Sequence, residues 1–447
     1  MLIIKRMGNA VYSNSISVCE TKQVSPPPEA GEKPKHVAKS TGNAVNRNVI
    51  IGVTEMTLEE IQEQDHRYLM QTYGRFPVAL VSGHGATAVD CNGKEYIDFT
   101  SGIGVNSLGY CDERWTRAVA KQAATLQHTS NLYYQPMQTK LAEKLCTLTG
   151  FSKVFFGNSG AEANECAVKT ARKYAADKYG KNRYRIVTLQ NSFHGRTLTT
   201  LAATGQDAFH EKFTPLTQGF SYAFPNMGSV KENVSGDTCA VMIELVQGEG
   251  GVLPLEAEFV KELAAFCGER DILLIVDEVQ TGVGRTGKLY CFQNYGIMPD
   301  ILTSAKGLGG GLPIGACLCT ERLGGVMDAG SHGSTFGGNP VVCAGALAVL
   351  DVVGNGDFLQ EVREKGAYLT EKLSAMEEIE FVRGLGMMLG AKLKKGSAKE
   401  AAQKCAESGL LVLTAKELLR FLPPLTITCE EIDKGLAVLQ KVIRTLE

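Results

Sequence analysis

The chain has one tryptophan in 447 residues and a net charge of only −2. Charge this close to zero gives no reason to expect a nucleic-acid or membrane partner. No apolar run reaches the ~20 residues of a membrane-spanning helix. None of the thirteen cysteines forms a CxxC pair, so no zinc site or dithiol redox motif is expected. An odd, unpatterned set reads as reduced thiols in a reducing compartment. The phosphate loop GxxxxGK[ST] is also missing. Gly93-Lys94, Gly180-Lys181 and Gly287-Lys288 continue with Glu95, Asn182 and Leu289. That argues against a nucleotide hydrolase, although Ile272 to Glu278 resembles an apolar strand ending in two acids. The glycine run at 307–311 lacks the strand–GxGxxG–helix setting of a dinucleotide site.

What is present is ordinary for a soluble globular chain: 44% hydrophobic and 21% charged residues. Its length exceeds the usual single core, so two or more domains are expected. Residues 1–55 are polar, contain Pro26-Pro27-Pro28 and lack helical periodicity, so they read as a disordered or targeting-like extension. Glu20, Glu29 and Glu32 spoil a transit-peptide signature, which favours a cytoplasmic protein over one in an organelle matrix. Met56 precedes a capping box, Thr57-x-x-Glu60, and makes a natural start for the folded part. A helix is expected from Thr57 to about Tyr73, and a hairpin around Cys91-Asn92-Gly93. Helices follow over roughly 113–128 and 136–149.

From 151 the pattern becomes strand–helix. Strands are expected over 153–156, 184–189, 239–245, 272–277 and 300–304, with helices such as 160–178 and 256–268 between several of them. This alternation predicts a mostly parallel sheet. A helix over 340–353, strands near 387–393, 410–413 and 418–421, and a last helix capped by Thr428-x-x-Glu431 complete the chain.

Charged and glycine-rich segments sit where strands end. The stretch Asp271 to Gly315 delivers Asp277 after one apolar run and Lys306 after the next. Ligands of open α/β sheets bind beyond the carboxyl ends of strands. An Asp and a Lys placed there suit pyridoxal phosphate, with Lys for the Schiff base and Asp for the pyridinium nitrogen. Gly160 and Ala161 open a helix directly after a strand and offer backbone N–H groups to a phosphate. Phe193 offers an aromatic face, and Arg196 a forked donor for a carboxylate. Glu249 lies in a glycine-rich turn, Ser334 and Thr335 precede a helix, and Arg420 stands on a C-terminal strand.

These blocks, in this order over about residues 57–447, resemble the class-III, fold-type-I aminotransferases that use pyridoxal phosphate. The resemblance implies a large domain with a mostly parallel seven-stranded sheet flanked by helices, spanning 111–338. A smaller α+β domain would be built from N- and C-terminal segments, 56–110 and 339–447. It implies that Lys306 carries the cofactor, Asp277 keeps its ring nitrogen protonated, Gln280 bonds its hydroxyl and Phe193 stacks on the ring. Gly160 and Ala161 would hold the phosphate, joined by Thr335 from the other subunit of a homodimer. Arg196, with Ser334 nearby, would take the donor carboxylate. Glu249 would pair with Arg420 until 2-oxoglutarate needs it. Thr72 to Pro77, His128 to Tyr134, Ser192 to Arg196 and Arg420 to Pro424 point within the family to N-acetylornithine as the donor. Succinylornithine, ornithine, 4-aminobutyrate and N-succinyl-diaminopimelate remain alternatives. Ala161 stands where the family often has Thr, and Leu245-Val246 where it commonly has Pro-Ile.

Overall fold

The computed structural model describes residues 56–446; the extension expected over 1–55 lies outside them. Thr57 and Glu60 form the reciprocal capping box that starts the helix Leu58–Tyr68. The helix stops at Tyr68 rather than near Tyr73. None of its residues is buried, so no tertiary contact prolongs it. Strands β1 (Leu80–His84), β2 (Thr87–Asp90) and β3 (Glu95–Asp98) follow as an antiparallel meander. The turn at 91–93 is held by Asp90, whose Oδ1 accepts the N–H groups of Asn92 and Lys94, both at 2.9 Å.

The central sheet begins with β4 (Lys153–Gly157), β5 (Arg185–Leu189), β6 (Phe220–Ala223) and β7 (Thr238–Ile243). A short ribbon, β8 (Val246–Gln247) with β9 (Leu253–Pro254), precedes β10 (Leu273–Asp277), β11 (Ile301–Ser304) and β12 (Gly315–Cys319). The sheet order is β4-β12-β11-β10-β7-β5-β6. Every neighbouring pair is parallel except the two that β12 makes. The seven-stranded, mostly parallel sheet matches the expected fold. Every residue of β7 and β10 is buried, as strands covered on both faces require, which explains their unbroken apolar runs. Six carboxyl ends, those of β4, β5, β6, β7, β10 and β11, therefore lie along one edge, and loops leaving four of them carry the polar residues of the site.

Beyond β12, Asn339 caps the helix Pro340–Val353, which has proline at its first position. The helix Gly356–Ser374 follows, then β13 (Ile379–Leu385), β14 (Met388–Leu393), β15 (Leu410–Leu411), β16 (Leu413–Ala415) and β17 (Leu418–Phe421). Four of these make an antiparallel sheet, β13-β14-β17-β16. The fifth, β15, pairs in parallel with β3, so N- and C-terminal segments share a sheet. The last helix, Cys429–Ile443, has the expected capping box and buries Ile432, Leu436, Leu439 and Ile443. The helix expected over 113–128 ends at Ala123. Strands β1, β6 and β13 and the helix Gly356–Ser374 are additions to the expected elements.

Candidate active site

A cavity of about 460 Å³ opens at the carboxyl edge of the central sheet, a size suited to a small cofactor with its substrate. Seven of the expected residues line it: Gly160, Ala161, Phe193, Arg196, Asp277, Gln280 and Lys306. Four strand ends deliver them: β4 leads to Gly160 and Ala161, β5 to Phe193 and Arg196, β10 to Asp277 and Gln280, and β11 to Lys306. Ser159 caps the helix Gly160–Tyr179, its side chain accepting the Glu162 N–H. The first-turn N–H groups of Gly160 and Ala161 have no partner within the helix and border the cavity. A Cβ at Gly160 would come within 2.7 Å of Val279 Cγ1, so only glycine lets this helix start lie so close to the Asp277 turn.

Asp277 is buried and held by three donors. Its Oδ2 accepts Asn164 Nδ2 and His194 Nδ1, both at 2.8 Å, and its Oδ1 accepts the Val279 N–H at 3.0 Å. Asn164 is itself fixed. It donates to the His194 carbonyl at 2.7 Å, and its Oδ1 accepts Thr303 Oγ1 at 2.6 Å. Asn164 and His194 carried no expected role. The signal for Asn164 was an amide on a buried helix face otherwise rich in alanine. Nothing in the spacing marks His194, which needs the fold to reach Asp277.

Glu244 follows the end of β7, beside β10. Burial, reinforced by nearby Asp277, pushes its carboxyl well above the usual carboxylate range. It accepts the Phe193 N–H at 2.8 Å. The Phe193–Arg196 loop is thus pinned by carboxylates of two neighbouring strands. Glu278 turns away from the cavity and takes the N–H groups of Cys291 and Phe292 and the Thr281 hydroxyl. Burial still pushes it up to about 7.

Lys306 is half-buried and has φ +41°, a left-handed conformation costly for a side chain with a Cβ. Burial, then the Arg420 charge, lowers its amine pKa from the ordinary lysine value. Arg420, buried on β17, donates from Nη1 to Glu249 Oε1 at 2.8 Å and reaches Gln280 Oε1 at 3.4 Å. Neither Arg420 nor Glu249 lines the cavity; Gln280 links them to it. Ser334 Oγ accepts Asn158 Nδ2 at 3.1 Å, and Asn158 is part of the wall. Thr335 is exposed and borders a separate small cleft with His128 and Asn131.

The sequence model of the family described as aminotransferase class-III matches residues 68–443. The chain belongs to this family. Class-III aminotransferases use pyridoxal phosphate, and this chain is an aminotransferase of that kind. Among its relatives, the acetylornithine aminotransferase of Haemophilus ducreyi is 47% identical, the match covering 87% of this chain and 99% of the relative. The succinylornithine transaminase of Photorhabdus laumondii is 44% identical over 86% of this chain and 98% of its own. A solved ornithine aminotransferase from Toxoplasma gondii, described with partial occupancy of PLP at its active site, superposes with a TM-score of 0.84. It is 31% identical and covers 88% of this chain and 96% of its own. The cavity of this class-III chain fits the cofactor chemically: an amine of lowered basicity, a buried carboxylate with three fixed donors, a helix start that only glycine allows, and an aromatic wall.

Proposed function

We propose that this aminotransferase moves the terminal amine of N-acetylornithine to 2-oxoglutarate, giving N-acetylglutamate 5-semialdehyde and glutamate, a step of arginine biosynthesis. The supporting observation is the contrast between two arginines. The Arg196 guanidinium stands exposed at the cavity with no carboxylate partner among the described residues, whereas Arg420 is already paired with Glu249. A donor with its reacting amine at one end and a carboxylate at the other matches that state. The high identity to acetylornithine aminotransferases supports the same donor. The succinylornithine relative keeps a second reading alive, since both acylated ornithines carry the same amine and carboxylate.

Bound pyridoxal phosphate supplies the electron sink that lets the amine-bearing carbon give up a proton. In this reading Lys306 is the residue that would hold the cofactor, and its amine would also be the base that moves that proton. Its lowered basicity favours the neutral amine that a nucleophile and a base both require. Asp277 stabilises a protonated ring nitrogen by opposite charge, and Asn164 and His194 keep its carboxylate oriented. Gln280 takes the ring hydroxyl and Phe193 covers one ring face. Gly160 and Ala161 bind the phosphate, with Thr335 of a second copy. Arg196 binds the donor carboxylate, with Ser334 supporting the wall through Asn158. When 2-oxoglutarate enters, Glu249 releases Arg420 to its α-carboxylate. A homodimer is supported by the exposed run Leu132, Tyr133 and Tyr134 and by exposed Phe336 beside Thr335. The reduced cysteines suit the cytoplasm.

A donor panel with 2-oxoglutarate tests the reading. N-acetylornithine should give the highest kcat/KM, ahead of N-succinylornithine, N-succinyl-diaminopimelate, ornithine and 4-aminobutyrate. Faster use of ornithine or 4-aminobutyrate would reject it.

A further inference from the structure

We propose that Phe209 positions the Arg196 guanidinium and so sets affinity for the carboxylate of the amine donor; this rests on the role given to Arg196 above. Phe209 is not in the cavity wall. Its ring nevertheless lies 4.4 Å from Arg196 Cζ, closer than Phe193 at 5.6 Å. The two phenylalanines meet edge-on, with centroids 5.9 Å apart at 72°. Arg196 therefore rests on two aromatic rings. A guanidinium uses its flat faces for such contacts, which leaves the N–H edges in its plane free for a bidentate carboxylate.

An exposed arginine on a loop would otherwise sample many rotamers, and a carboxylate would have to order it on binding. The ring that prevents this is itself well placed. Phe209 ends the short 3-10 turn Asp207–Phe209. The preceding Gln206 donates from Nε2 to the Ser192 carbonyl at 3.0 Å, and its Oε1 accepts Lys416 Nζ at 3.0 Å. The Gly205 N–H also donates to Ser192 Oγ at 3.0 Å. The segment is thus tied to the loop that carries Arg196 and to the turn before the strand that carries Arg420. Phe209 belongs to neither hydrophobic core cluster, so filling the interior does not account for it.

The test compares Phe209→Leu and Phe209→Tyr in the holoenzyme, using N-acetylornithine and N-acetyl-1,4-diaminobutane, which has the same amine but no carboxylate. Phe209→Leu should raise the KM for N-acetylornithine about two- to fivefold. It should leave kcat, the cofactor absorbance and kcat/KM for the carboxylate-free donor unchanged, and Phe209→Tyr should behave as wild type. In an Arg196→Ala background, Phe209→Leu should add nothing. The proposal is overturned by an unchanged N-acetylornithine KM, an equal loss with both donors, an altered cofactor absorbance, or additivity with Arg196→Ala. If Arg196→Ala itself leaves the N-acetylornithine KM unchanged, the role of Arg196 fails first, a result distinct from failure at Phe209 alone.

Discussion

Asp277 and Arg196 face the same cavity but are held in opposite ways. Asp277 ends a fully buried strand and is gripped by three donors from three segments. Arg196 lies on a loop, is exposed, and is touched chiefly by aromatic rings. The roles proposed above for the two residues explain the contrast. One end of the site meets the same ring in every turnover, so its groups can be fixed in advance. In the proposed reaction the other end receives an amine donor and a dicarboxylic acceptor in alternation. Long cationic side chains with exchangeable partners, Arg196 over its rings and Arg420 against Glu249, suit that alternation.

The comparison can be broken at its most rigid point first. Lys306→Ala removes the only lysine in the cavity wall. Turnover should fall by at least about 10²–10⁴-fold, and visible cofactor absorbance should be lost. Near-normal turnover, measured as glutamate formed, would end the assignment. Glu249→Ala acts at the adaptable end and should change preference rather than abolish activity. Arg420, whose Nε has no partner among the described residues, would then lose its carboxylate as well. Amines with an α-carboxylate at the reacting carbon, such as glutamate, should gain on N-acetylornithine by roughly tenfold in relative kcat/KM. An unchanged ratio would mean that the pair is only structural.

The smallest expected effect joins the two ends. Burial and then the Arg420 charge lower the Lys306 pKa, so its amine becomes neutral at a lower pH than a free lysine. The rate at which cofactor-free enzyme takes up pyridoxal phosphate should rise with pH through that lowered value. Arg420→Gln removes a positive neighbour, so the rise should move to higher pH. A shift to lower pH, or none, would show that the two ends are electrostatically independent.

The same contrast governs what could be read from the sequence. Asp277 and Lys306 were legible because each follows an apolar run long enough to be a buried strand, and a charge there has little purpose except at a site. The partners of Asp277 were not legible: Asn164 lies 113 residues away and His194 lies 83 away. Only the sheet order brings them together. The direction of β12 was equally hidden, since nothing in the residues of a strand says whether it runs parallel or antiparallel to its neighbours. The helix Gly356–Ser374 buries Leu359, Val362, Leu369 and Leu373. That helical spacing is present in the sequence, but charged residues interrupt it on most turns. Phe209 leaves no trace in any motif, because it works through a neighbour's side chain rather than through a ligand.

The pairing of β15 with β3 bears on how the protein is made. Ile97 meets Leu410 across roughly 300 intervening residues. At a synthesis rate of ~5–20 residues per second, β3 leaves the ribosome roughly 15–60 s before its partner exists. During that interval one side of the β1–β3 meander is an open sheet edge, the kind of surface that pairs with whatever strand is nearby. A nascent chain of this enzyme therefore carries a temporary adhesive margin, which β15, roughly three hundred residues later, closes.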